Sequence, residues 1–134
     1  MQRRDFLTLG ATALILPTEA QASYEATTYI WGMGADLRAS GETVIFNFRS
    51  SWSLTCQIKE DMLAELKAEN PQYRRLTFID VDYDTYGPSQ WVEQMKVRRR
   101  STLVVVKNGE EVARIENEPY KERLQSLLDA ALAA

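Results

Sequence analysis

An α/β fold built on one mixed sheet is predicted by three observations on this chain. Apolar, strand-like runs at Thr43–Phe48 and Leu76–Val81 are separated by a run of helical period. That order requires a crossover and favours a right-handed parallel pair. Asn108-Gly109 then joins two further strand-like runs, and this dipeptide is the strongest short-range hairpin signal, so the last pair is antiparallel. From Tyr120 to Leu132 apolar residues recur at helical spacing, which places a helix at the end.

Each element has its own signal. Thr27–Trp31 is β-branched and aromatic and stops at Gly32 and Gly34, a short strand. Ala35–Ser40 reads as a helical turn closed by Gly41. Val44–Phe48 is nearly continuous in apolar residues, as suits a strand covered on both faces. From Leu54 the period changes: Ile58, Met62, Leu63 and Leu66 share a helical face, with Lys59, Glu60, Glu65 and Lys67 mostly off it. Asn70-Pro71 ends that helix, because proline disfavours helical geometry in the residue before it. Gly87-Pro88-Ser89 opens a short helix through Met95, with Pro88 suited to the first turn. Leu103–Val106 and Glu111–Ile115 flank the hairpin, and the last helix starts near Pro119.

Composition narrows the chemistry. The chain has 134 residues, 45% of them hydrophobic and 26% charged, ordinary for one domain with its own core. Its formal net charge of −3 carries no basic footprint for nucleic acid. It has one cysteine and no histidine. An internal disulfide, a histidine general base and an imidazole-built metal site are thereby excluded, and no cofactor is called for.

The first 22 residues read as an address. Arg3-Arg4-Asp5-Phe6-Leu7 resembles the twin-arginine pattern R-R-x-F-L. Apolar residues follow from Leu7 to Leu16, too short a run for a membrane span of about 20 residues. Pro17 breaks the run, and Ala20-Gln21-Ala22 offers a cleavage site. A folded bacterial protein exported to the periplasm is expected, with 1–22 as signal peptide, 23–134 as its single domain, and no span in the mature chain.

Trp52-Ser53-Leu54-Thr55-Cys56, between a strand and a helix, resembles the active site of the thioredoxin family, where W-C-G-P-C stands. The resemblance covers roughly Thr43 to Leu132 and implies the thioredoxin fold, a mixed central sheet flanked by helices. By this likeness Ser53 replaces the attacking cysteine and Cys56 keeps the resolving place. Without a histidine to take its proton, Ser53 reads as the helix N-cap. The family's buried aspartate is matched by Asn47, its Gly-Pro by Leu54-Thr55, and its cis-proline by Ser101 in Arg99-Arg100-Ser101-Thr102-Leu103. A non-proline cis bond costs about 2.5–4 kcal/mol, so the Arg100–Ser101 bond is expected to be trans. Together these departures imply that dithiol–disulfide exchange has been lost.

Cys56 is left with two readings: a small buried hydrophobe, or a reactive thiol aided by the helix N-terminus and by the arginines at 98–100. The likeness places Arg99 and Arg100 beside it, with Trp52 and Ser101 completing a binding surface. The expected activity is partner binding in the thioredoxin groove or single-thiol redox chemistry at Cys56. The implied partner is a protein, or a small anionic or thiol substrate near that sulfur. A monothiol peroxidase is an alternative, since Ser53-Leu54-Thr55-Cys56 is similar in outline to the T-x-x-C of peroxiredoxins, though their preceding proline is missing. A non-catalytic structural or regulatory subunit is the third reading. Asp80-Val81-Asp82-Tyr83-Asp84 lacks the glycine and glutamate of a calcium loop and reads as a strand end.

Overall fold

The structure, a computed structural model, describes residues 23–134; the export signal expected in 1–22 lies outside the described residues. The elements in chain order are β1 (Thr27–Thr28), α1 (Met33–Ser40), β2 (Thr43–Arg49), α2 (Leu54–Glu69), a 3-10 turn (Pro71–Arg75), β3 (Thr77–Asp82), α3 (Tyr83–Tyr86), α4 (Gln90–Gln94), β4 (Thr102–Lys107), β5 (Glu110–Glu116) and α5 (Lys121–Ala133). The sheet order is β1-β3-β2-β4-β5. β2 runs parallel to β3 and antiparallel to β4, and β4 to β5, so the expected mixed sheet is present.

Alternation along the central strands divides the core in two. Ile45, Phe78, Leu103 and Val105 turn to the face covered by α2 and α5 and join Leu63, Leu66, Leu124 and Leu128. Val44, Phe46, Phe48 and Val104 turn to the opposite face, with Tyr29, Val92 and Val97. Asn108 and Gly109 both have positive φ, 54° and 82°, as the two-residue hairpin turn needs.

Several expectations are corrected. The first strand is shorter than Thr27–Trp31: pairing ends at Thr28, apart from one more bond from Tyr29 N–H to the Asp80 carbonyl at 2.8 Å. The turn near Ala35 is a full eight-residue helix. Ser89, rather than Pro88, starts α4, its hydroxyl accepting the Val92 N–H. α3, four residues long, has no periodicity in the sequence to announce it. Asp82 caps it by accepting the Asp84 N–H and the Thr85 hydroxyl. α5 begins at Lys121, leaving Tyr120 exposed rather than on the apolar face.

Candidate functional site

β2 delivers the chain to the start of α2. Ser53 is the N-cap in extended conformation, and its Oγ accepts the Cys56 N–H at 3.3 Å. Both Ser53 and Cys56 are buried, the cysteine with 0% exposure. Trp52 stands out of the surface, its indole N–H donating to Asp84 at 2.9 Å. The other oxygen of that carboxylate accepts the buried Ser50 hydroxyl at 3.0 Å. Asp84 therefore ties α3 to the Trp52 turn, a tie that sequence spacing did not disclose.

Ser101 stands in the loop before β4 with φ +64°, and no cis peptide bond occurs among the described residues. Its N–H donates to the Phe48 carbonyl at 2.7 Å, and its own carbonyl accepts from Asn117 at 2.8 Å. Both backbone groups are consumed inside the protein. Its hydroxyl is buried without a partner. The Arg100 guanidinium lies 4.2 Å from the centre of the Trp52 ring, a cation–π contact. Arg100 thus covers the tryptophan, while Arg98 and Arg99 line a cavity on the far face of the sheet. The three arginines expected together beside Cys56 are separated: one covers Trp52 and two line the cavity.

The cations that Cys56 does have for neighbours are Arg49 and Lys59, whose charged forms its thiolate would favour. Lys59 was expected off the apolar face of α2. It is 1% exposed, while Ile58, placed on that face from the sequence, is 38% exposed. The buried face is rotated to run through Cys56, Lys59, Leu63, Leu66 and Lys67. Steps of three and four counted from Cys56 would have found it.

These residues form a polar layer under the site. Asn47 is fully buried on β2, in register with Asp80 on β3. Its amide nitrogen lies 3.0 Å from each of Glu60, Asp80 and the Tyr24 hydroxyl. Tyr24 donates to Asp80 at 2.6 Å. Arg49 pairs with Glu60 through two nitrogens, at 2.5 and 3.2 Å. Burial first, then the charge of Asp80, raises the Tyr24 phenol and keeps it protonated. The bond to Glu60 holds Arg49 charged. Burial pulls the Lys59 ammonium down, to about 8, against the opposing pull of Cys56, Glu60 and Asp80. Its nitrogen has no hydrogen-bond partner.

Asn47 serves this layer as a donor only, since its amide oxygen is buried without a hydrogen-bond partner. An aspartate there would set a third carboxylate against Glu60 and Asp80, and like charges at hydrogen-bond distance cannot all ionise. The amide donates instead. It cannot take up or release a proton.

The thioredoxin family model matches residues 33–130 of the chain. A rice protein named thioredoxin H4-1 is 33% identical over 100 residues, covering 72% of each chain. The crystal structure of Trxlp from Edwardsiella tarda is 29% identical with a TM-score of 0.65, covering 78% of this chain and 98% of that one. Malassezia sympodialis thioredoxin, 17% identical with a TM-score of 0.65, covers 81% of this chain and 91% of its own, and shows the same fold. With its mixed five-stranded sheet and its site at the β2–α2 junction, this chain belongs to the thioredoxin family.

Proposed function

We propose that the protein is an exported thioredoxin-like domain without dithiol–disulfide oxidoreductase activity, working by partner binding at the face around Trp52, Ser53 and Arg100. One observation carries the reading. The attacking position holds a serine whose oxygen is occupied as a helix cap, and the one thiol lies wholly beneath the surface. An exposed tryptophan, with Leu54 at 68% exposure beside it, supplies the apolar contact a partner needs.

Single-thiol redox chemistry at Cys56, including the peroxidase reading, is favoured by one specific feature: Lys59 shares the buried face of α2 with Cys56 one turn on, and a Cys56 thiolate would hold Lys59 and Arg49 charged. Alkylation separates the two readings. In the native protein Cys56 is expected to react with iodoacetamide roughly a hundredfold or more slowly than in urea, because burial limits reaction to opening events. Insulin reduction by the native chain is expected to be absent. Rapid native alkylation would hand the function to the thiol, and full insulin reduction would remove the premise of lost exchange.

A further inference from the structure

On the sheet face opposite Cys56 a cavity of about 820 Å³ opens between α1, α4 and the β4–β5 hairpin. Its volume falls in the range of small-molecule pockets, about 300–1,000 Å³. Val44, Phe46 and Val106 make the floor, and Leu37, Trp91 and Met95 the apolar walls. Trp91 is rigid: it stacks on Tyr29 at 4.5 Å and meets Phe46 edge-on at 5.4 Å. Gly34 lets α1 close against it, since a Cβ there would stand 3.1 Å from the indole nitrogen.

The rim is charged, and its charges are unequal in availability. Arg114 is fully occupied. It holds Glu111 at 2.8 Å and Glu116 at 3.1 Å, and donates to the carbonyls of Met95 and Lys96 at 2.6 and 3.0 Å. That closes the hairpin side of the rim. Lys96, Arg98 and Arg99 also line the cavity, and none makes an ion pair with a carboxylate among the described residues. Glu42 is the one lining carboxylate outside the Arg114 cluster. Counting the whole lining among the described residues, four cations (Lys96, Arg98, Arg99, Arg114) stand against three carboxylates (Glu42, Glu111, Glu116), a net charge of +1, and the cations free of ion pairs lie at the Arg98–Arg99 end.

We infer that this cavity is a binding site for a small hydrophobic carboxylate, its apolar body on Phe46, Trp91 and Met95 and its anionic head at Arg98 and Arg99. The site is separate from the Trp52 face and does not depend on the function proposed for it. Guanidinium groups suit the head because they donate two parallel bonds to a carboxylate. The apolar floor demands a body that acetate lacks.

The test is calorimetric titration of the full chain with decanoate, decanol, decyltrimethylammonium and acetate. Decanoate is expected to bind best, with the cation and acetate silent. Replacing both Arg98 and Arg99 by Gln is expected to weaken decanoate by roughly ten- to a hundredfold, as for loss of a charge-assisted bond, with decanol unchanged. Arg100→Gln, whose side chain lies over Trp52 and does not line the cavity, is the folded control and should bind decanoate normally. Val106→Trp should fill the chamber and abolish binding, with an unaltered circular dichroism spectrum as proof of folding. Equal binding of decanoate and decanol, no binding of decanoate, or loss in Arg100→Gln alone would overturn the assignment. So would concentration-dependent dimerisation that excludes decanoate and ignores Arg98 and Arg99, since the face would then belong to a second copy.

Discussion

Asn47 and Lys59 set opposite problems for the same buried layer. Asn47→Asp is expected to cost about 1–3 kcal/mol at neutral pH, the penalty for a buried group with no proper partner. The new acid would titrate above its unfolded value, so the loss is full at pH 7 and shrinks as pH falls and the carboxyl is protonated. Urea unfolding of both proteins at pH 7 and pH 5 checks this; a difference that does not narrow at pH 5 contradicts it. Lys59 has the other sign. Its folded value, about 8, lies below the ordinary lysine value of 10.5. Between those values the unfolded chain holds more protons than the folded one, so stability rises with pH. Lys59→Met is therefore expected to stabilise the protein by up to about 3 kcal/mol at pH 7, with the advantage vanishing as pH rises from 8 to beyond 10.5. A constant advantage across that range would show that the ammonium is not the cause.

At the scale of elements, the start of α2 rests on one side chain. Ser53→Ala removes the acceptor for the Cys56 N–H and should cost about 1 kcal/mol, while Ser53→Asp should restore most of it. Equal stability of all three in urea would deny the cap. Capping was legible in the sequence, as were the central strands, the hairpin and the terminal helix, because local chemistry dictates each of them. The buried face of α2 was not. Lysines count as solvent-facing in a periodicity reading, yet Lys59 and Lys67 turn inward: one meets Cys56 and the layer under it, the other lies over Phe78 and Tyr24 at 4.4 and 5.3 Å. The arginines at 98–100 escaped for a related reason. The chain bends at Arg99 and Arg100 just before the left-handed residue Ser101, so Arg98 and Arg99 reach the cavity while Arg100 turns to Trp52, and no periodicity in the sequence reports such a bend. Asp84 escaped because α3 is one turn long, too short for any period.

As a whole, the molecule presents few places for unplanned pairing. β1, one edge of the sheet, is two residues long, and β5, the other, carries Glu110, Glu111, Arg114 and Glu116. Short and charged edges discourage strand addition by other chains. Export in a folded state, proposed from Arg3 and Arg4, is tested directly. Replacing Arg3 and Arg4 by lysine is expected to abolish recovery from the periplasm, and the protein recovered there is expected to begin at Ser23. Cytoplasmic accumulation of the unaltered chain with Met1 in place would overturn the export reading.

The position of Trp52 gives the molecule an optical signal of its own. Its ring is 62% exposed, lies under a guanidinium, and is held by one hydrogen bond to Asp84. An indole so placed emits at long wavelength, and anything that settles on the turn excludes water from the ring and shifts the emission to the blue. Trp91 sits across the sheet among Tyr29, Phe46 and Phe48 and is blind to that event. With Trp31, the other exposed tryptophan, replaced by Phe, a blue shift of the emission on titrating in a purified, tryptophan-free ligand reports occupancy of the Trp52 turn without a label.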